Sequence, residues 1–515
     1  MSRFWIIFCG VLTLTQDAYS ISIKMHYCTQ SEQHCVLPSE CPNSTSLITS
    51  KQAELCGFHD EINENQRICC NYSTNIVKTK KSELVVTSES TLVHNVPFHK
   101  EAQTEERVCS QTVQDGLLSF GIKLNSILLE NNGENKNILF SPYNLYTQLA
   151  LVHLGSNGIT RDTISNVLNI PVTFSPKSLQ EILQNFSSVL QINPNKTYLS
   201  GVTLHNGSPV AIRPTVKASD LKLANGIFVQ NEYRGKLKKN YVEDVQLYQQ
   251  SDIFNVDFTN KGEAAKDTIN KYISNKTENR IPRLLEHPLA KDTLVVLTSS
   301  LYFKSAWRTK FNRDQTKAET FRTDKGNVTV QMMHALLIET GYAEVPSLGV
   351  RVVQLRYIDD AFSMFIGLPD ENQSLQKVLR KLTSDQIRTI IDEAARHIGY
   401  EIDLKLPKTA FKWSQSVKNY LIELGLAEEI WESPDLSNMM DQSNMTISDI
   451  GHGTDITINE EGTEASAASM LIFGPLSGKI TQTFHVNRPF FFFIYNHNIH
   501  TIIFFGTVFD PNSAK

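Results

Sequence analysis

Glu460-Glu461-Gly462-Thr463-Glu464-Ala465-Ser466-Ala467-Ala468-Ser469 stands shortly before two very apolar C-terminal segments and reads as a loop built to become a strand. Strand alternation puts Thr463, Ala465, Ala467 and Ser469 on one face, with Glu464, Ser466 and Ala468 on the other. The first face carries nothing larger than threonine, so it would slide beneath a packed layer without overfilling it. Gly462 supplies backbone freedom where such a loop would bend away from its parent strand. The plainer reading is an Ala/Ser-rich flexible linker. The sequence on either side decides between the two.

The chain is long enough for more than one domain, and its 41% hydrophobic content suits an ordinary globular core. A net charge of −5 gives no sign of a nucleic-acid binder. Residues 1–20 run from Arg3 through Phe4-Trp5-Ile6-Ile7-Phe8 to Leu14 and end at Ala18-Tyr19-Ser20. A basic start, an apolar core and a small-x-small end read as a secretory signal peptide. That apolar run is too short to span a bilayer, and so is Phe490–Phe493. The mature product is therefore expected to be exported, with no membrane contact.

Cysteine usage agrees. Cys9 lies in the signal, while Cys28, Cys35, Cys41, Cys56, Cys69 and Cys70 crowd a small block within residues 21–72. Six clustered cysteines in an exported chain read as a three-disulfide framework, because so short a block buries too little apolar area alone. The adjacent Cys69-Cys70 fits a zinc site poorly. Spacing alone leaves about fifteen pairings open. Cys109 is left over, free or paired with another molecule. Asn-x-Ser/Thr sequons begin at Asn43, Asn71, Asn185, Asn195, Asn206, Asn275, Asn327, Asn372 and Asn444, a density that suits a glycosylated, secreted protein.

Residues 73–108 are polar with scattered apolar positions and read as a linker; from 109 to 515 the patterning is continuous and mixes helices with strands. Ser141-Pro142 and Ser175-Pro176 are helix starts, a capping serine followed by proline at the first helical position. Val417, Leu421 and Leu424 mark a later helix that Gly425 stops. Strands are expected at Leu294–Phe303, Val352–Tyr357, Phe362–Leu368, Asp403–Leu406 and Thr454–Glu460. Phe490–Tyr495 and Thr501–Val508 read as a buried hairpin, and Leu199–Ser219 as a surface loop.

Chemistry is hard to find. There is no Gly-x-Ser-x-Gly, Gly-Asp-Ser-Gly or His-Glu-x-x-His motif and no phosphate-binding glycine loop. His497 and His500 fall in the hairpin turn and read as solvated. Lys236–Lys239 reads as a solvated helix start. The chain is therefore expected to be no enzyme and to need no metal or cofactor.

From Cys109 onward the chain resembles a serpin. The resemblance rests on Asn137-Ile138-Leu139-Phe140-Ser141-Pro142, Leu221–Asn225 with Ile227-Phe228-Val229, and Ile269–Ile273. It continues through Leu301-Tyr302-Phe303-Lys304 with Trp307, Met332-Met333, Leu404–Lys408, the 460–469 segment and Asn487-Arg488-Pro489-Phe490. The N-terminal block is similar to the clip domain of arthropod serine proteases, on Cys35-Val36-Leu37-Pro38-Ser39-Glu40-Cys41-Pro42, Leu55-Cys56-Gly57 and Ile68-Cys69-Cys70. That likeness implies the pairings Cys28–Cys69, Cys35–Cys56 and Cys41–Cys70.

The serpin likeness implies an α+β fold of mixed sheets, surrounding helices and an exposed reactive loop. It also implies an inhibitor whose loop, once cut, inserts into a sheet and carries the protease with it, as serpin loops do. Glu460, Gly462, Thr463, Ala465, Ala467 and Ser469 would form the hinge. Family loop length puts the scissile bond at Leu476-Ser477, for a chymotrypsin- or elastase-like protease. Lys479-Ile480, for a trypsin-like one, is the alternative and adds about 10 Å of tether at strand rise. The sheet-opening region would comprise Ser141, Asn144, Ser299 and His452, with Trp307 near the top of the sheet. Asn144 and Ser299 stand where the family has Ser and Asn, so the two are expected to have exchanged roles around His452. The expected partner is a serine protease, with no nucleic acid, and the inhibitor is expected to be monomeric. A non-inhibitory serpin-fold binding or scaffold protein is the alternative.

Overall fold

In the computed structural model, Ser141 and Ser175 start helices as their sequence anticipates, each accepting a bond from the backbone N–H three residues on. The structure describes residues 33–36, 68–71, 98–131, 135–191, 197–199, 203–205, 208–210, 215–217, 219–233, 235–249, 251–396, 400–427, 429–441, 445–463 and 481–513. The chain divides by contacts near Val96, with residues 12–96 in one unit and 97–515 in the other. In the first unit β1 (Gln33–Val36) pairs antiparallel with β2 (Ile68–Asn71), which sets Cys35 opposite Cys69. Cys28, Cys41 and Cys56 lie outside the described residues, so each of the three expected pairings involves an undescribed partner.

The second unit opens with α1 (Phe98–Asn131), so the polar tail expected to run as a linker to residue 108 is already helical from Phe98. On α1, Cys109 is disulfide-bonded, which corrects the reading that left it free. The helix leads to β3 (Ile138–Phe140), α2 (Pro142–Gly155), α3 (Gly158–Val167) and α4 (Pro176–Leu190). Every residue of α2 is buried, so it is the central helix rather than a surface one.

The stretch read as a surface loop instead forms two short ladders. β4 (Thr197–Leu199) pairs with β7 (Thr215–Lys217), and β5 (Thr203–His205) with β6 (Ser208–Val210). Then come β8 (Asp220–Gln230), α5 (Lys239–Gln249), β9 (Asp252–Val256), α6 (Gly262–Lys276) and β10 (Val295–Ala306). β11 (Lys317–Thr323), β12 (Gly326–Val345), β13 (Val350–Arg356) and β14 (Phe362–Pro369) follow, then helices α7 (Leu375–Lys381) and α8 (Ser384–Arg396). β15 (Tyr400–Pro407), β16 (Thr409–Ser416), α9 (Lys418–Glu423), β17 (Ile447–Asn459), β18 (Gly462–Thr463) and β19 (Thr481–His485) lead to the hairpin β20 (Phe490–Asn496) and β21 (Thr501–Val508).

Two large sheets result. One runs β16-β17-β18-β10-β8-β9. The other runs β19-β15-β12-β13-β14-β20-β21-β3, with β11 on β12. Both strands of the hairpin are buried, and Phe490 to Phe493 have no exposed surface. Its turn corrects one expectation. His500 is exposed, but His497 is partly buried, with Nε2 2.8 Å from Ser363 Oγ, and burial pushes its pKa down to about 4.

Candidate functional site: a seam between two parallel strands

β10 and β17 run parallel and hydrogen-bond directly from Val295/Ile447 to Tyr302/Asp455. Beyond that point they part, and β18 enters the gap antiparallel to both. Thr463 lies opposite Ser305 on one side and Ile458 on the other; Gly462 lies opposite Ala306 and Asn459. The first two strand-forming residues of the 460–469 segment are therefore seated in the sheet. Ala465, Ala467, Ser469, Leu476, Ser477, Lys479 and Ile480 lie outside the described residues.

The turn that makes this entry is specified residue by residue. The Asn459 side-chain oxygen accepts from the backbone N–H of Glu461 and Gly462 at 2.9 and 3.2 Å, an Asx-type turn. Gly462 has φ +148°, and a Cβ there would sit 2.1 Å from the carbonyl oxygen of Ser305. Both conformation and space demand glycine. The two glutamates before it point into cationic holders. Glu460 accepts from Thr316 at 2.9 Å and pairs with Lys408 at 3.0 Å; Glu461 pairs with Lys310 at 2.8 Å and Arg313 at 3.3 Å. Burial opposes ionisation of Glu460, yet its own backbone N–H, Lys408 and Thr316 outweigh that and hold its carboxyl below the usual range.

Thr463 is wholly buried, its hydroxyl 2.8 Å from that of Tyr357. Tyr357 stacks on Trp307 at 4.6 Å between centroids, and the Trp307 indole N–H donates to the Asn459 carbonyl at 2.9 Å. Trp307 thus ties the end of β17 to a ring stack that the inserted threonine touches. This places it at the open end of the seam.

The closed end is organised by His452. Its Nε2 accepts from the Ser141 backbone N–H at 3.0 Å, so Nδ1 carries the proton and donates to the Ser299 carbonyl at 2.7 Å, with the Ser299 hydroxyl at 3.1 Å. The Ser141 hydroxyl donates to the Ile503 carbonyl at 2.7 Å, joining helix α2 to the second sheet. Full burial drives the His452 pKa down to about 3, against the pull of Ser299, so the ring is neutral. The expected exchange of roles between Asn144 and Ser299 around His452 is corrected by the structure. Ser299 holds His452 directly, whereas the buried Asn144 carboxamide has no hydrogen-bond partner among the described residues and only its backbone N–H reaches the Ser141 hydroxyl.

This arrangement accepts a strand; it does not assemble a nucleophile. Besides Ser299–His452, the described residues include the serine–histidine contacts Ser363–His497 and Ser165–His153, each at 2.8 Å. Burial lowers both histidines to about 4, too acidic for an effective base near neutral pH, and the second nitrogen of His153 has no partner among the described residues. Of the sequon asparagines, Asn185, Asn275, Asn327 and Asn372 are exposed; Asn43, Asn195, Asn206 and Asn444 lie outside the described residues, and Asn71 is placed only by its β2 backbone. Sequence reasoning missed Tyr357, Lys310, Lys408, Thr316 and Asn459. Only Asn459 had a local signal, an asparagine shortly before a glycine at a strand end.

A mixed sheet whose middle strands part to admit the start of a following segment defines a strand-accepting fold. The chain belongs to the serpin family, whose model, Serpin (serine protease inhibitor), matches residues 115–511. It is 30% identical over 431 residues to Serpin A3-5 of Bos taurus, covering 82% of this chain and 95% of that protein. It is also 30% identical over 391 residues to a leukocyte elastase inhibitor of Xenopus tropicalis, covering 74% and 95%. Among solved structures, a thyroxine-binding globulin complex with thyroxine superposes with TM-score 0.65 at 23% identity, covering 77% of this chain and 99% of that one, a likeness of fold. The proteins it is similar to thus include an elastase inhibitor and, in fold, a thyroxine-binding globulin.

Proposed function

We propose that the protein is a secreted inhibitor that traps a serine protease as a covalent acyl-enzyme, its cleaved reactive loop completing the insertion that β18 begins. The observation that carries this reading is Gly462-Thr463, already paired between β10 and β17, followed in sequence by Ala465, Ala467 and Ser469 on the face that would continue inward. A carrier protein would not need small residues at successive inward positions; an inserting strand does, because an overpacked core costs about 1–3 kcal/mol per misfit.

The reactive bond is Leu476-Ser477, which favours a chymotrypsin- or elastase-like target, since the longer tether to Lys479 would leave the captured enzyme less compressed. The clip-like block, with its three disulfides, serves localisation or protein contacts in an extracellular cascade. Incubation with chymotrypsin, elastase and trypsin, followed by denaturing gels and mass spectrometry of the released peptide, tests this. A gel-stable complex with a peptide beginning at Ser477 is the expected result. Cleavage without complex, and no gain in thermal stability after cleavage, would favour the non-inhibitory alternative. Inhibition rates with and without residues 21–108 should match.

A further inference from the structure

A cavity of about 490 Å³ opens where β3, the β11–β12 hairpin, the C-terminal tail and β16 meet. Its walls are held in place by hydrogen bonds of their own. The Asn137 side-chain oxygen accepts from the backbone N–H of Phe509 and Asp510 at 2.7 and 3.1 Å, and its amide donates to the Asp510 carbonyl at 2.7 Å. The tail is then tied to both sheets: Asn512 donates to the Thr329 carbonyl at 2.9 Å, and Thr409 to the Pro511 carbonyl at 3.0 Å. The hairpin turn is closed by the Thr323 hydroxyl, which donates to the Gly326 carbonyl at 2.7 Å. Such a volume lies within the roughly 300–1,000 Å³ of small-molecule sites, which are mostly formed before the ligand arrives.

The lining has an aromatic part and a cationic part. Phe411, Trp413 and Phe509 are its buried rings. Phe411 is fixed by Phe492, 6.0 Å between centroids, and Trp413 by His452, at 5.8 Å. Trp413 is 9% exposed, and its indole N–H has no partner among the described residues. Lys136, Lys325 and Lys412 are the exposed cations of the lining. Lys412 is shared with Asp455 at 3.5 Å, whereas Lys136 and Lys325 pair with no carboxylate among the described residues. The cavity's own carboxylates are Asp324 and Asp510, and Asp510 is engaged in the tail turn, accepting from the Asn512 N–H at 2.9 Å.

Flat rings pack best against aromatic side chains, and unpaired ammonium groups favour an anion. Three lysines against two aspartates leave room for one negative charge, while a second would meet Asp324 and Asp510. We propose that this cavity binds a small aromatic or fused-ring molecule bearing a single carboxylate or sulfonate, its rings toward Trp413 and Phe411 and its charge toward Lys136 and Lys325. The site would serve whether or not the protein traps a protease.

The probe is anilinonaphthalene sulfonate, titrated into the full chain freed of N-linked glycans, because the sequon residue Asn327 also lines the cavity. Probe fluorescence and equilibrium dialysis should report one equivalent bound. Energy transfer from tryptophan should fall in Trp413→Phe while dialysis still shows the probe held. Val328→Trp, which fills the cavity from a half-buried position, should weaken binding by about ten-fold. Lys136→Glu with Lys325→Glu should weaken it by about five-fold and leave binding of the uncharged phenylnaphthylamine unaffected. Both lysines are exposed, so this pair keeps the test decisive should Val328→Trp fail to fold. Absence of binding, undiminished binding in Val328→Trp or in the lysine pair, or equal affinity for the charged and uncharged probes would overturn the assignment.

Discussion

The β14–β20–β21 sheet and the β10–β17 seam are built from opposite materials. In the first, rings fill every space: Phe365 stacks on Phe493 at 4.9 Å and Phe491 on Phe505 at 6.0 Å. Its glycines exist to admit them, since a Cβ on Gly367 would lie 2.2 Å from the Phe491 ring and one on Gly506 2.3 Å from Phe492. In the seam the buried residues include Thr298, Ser299, Ser300, His452, Thr454 and Asp455. The Ser300 hydroxyl and one Asp455 oxygen have no hydrogen-bond partner among the described residues. Gly451 and Gly453 there pack against Leu284 of the segment between α6 and β10. One region is packed to stay; the other holds buried polar groups incompletely satisfied, and such groups cost more than apolar ones of the same shape.

The largest way to break this contrast lies in the seam. Thr463→Arg should abolish covalent trapping, read by gel shift, and should also lower the unfolding midpoint of the uncleaved protein, because Thr463 is wholly buried against Tyr357; undiminished trapping would contradict the insertion reading. In the ring-packed sheet the effect is on stability. Phe493→Ala should cost about 3–5 kcal/mol in uncleaved and cleaved protein alike, measured by denaturant unfolding. Lys310→Met, which leaves the buried Glu461 carboxylate with Arg313 alone, should cost about 2 kcal/mol, less than a full loss of pairing.

Acid should act on the seam through His452. Burial holds His452 near 3 and His153 and His497 near 4, against about 6.5 in an unfolded chain. The native state therefore binds fewer protons than the unfolded state in that window. Stability is fully present above pH about 6.5 and is lost as the pH falls toward 4. Urea midpoints between pH 7 and 4 should show this slope, and His452→Gln should flatten it; an unchanged slope would remove His452 from the explanation. The smallest effect belongs to the surface: Arg308 pairs with Asp360, both half exposed, so Arg308→Gln should shift stability by less than about 1 kcal/mol.

Much of this was legible in the sequence because local chemistry dictated it. Ser-Pro helix starts, a Gly between acidic and small residues, and two phenylalanine-rich strands each carry their own signal. What escaped was written in tertiary contacts. Thr454-Asp455-Ile456-Thr457-Ile458 alternates as a strand does, but nothing local marks Asp455 as buried; its partners Arg280 and Lys412 lie far off in sequence. His497 looked like a turn residue until Ser363 and its neighbours closed over it. Asn144 shows the limit of substitution logic, since its carboxamide takes no part in holding His452. The helix from Phe98 was masked by its polar composition, a surface pattern that charge content alone does not distinguish from a linker.

The seating of Gly462-Thr463 has a kinetic consequence. Ordered growth of backbone structure is slow to begin and fast to extend, because the first contacts fix many torsions for few bonds. Here that initiating step is completed when the chain folds, with alignment already chosen by Ser305 and Ile458. A severed loop would have no groove to search for and no offset to select, and its travel time would reflect elongation alone.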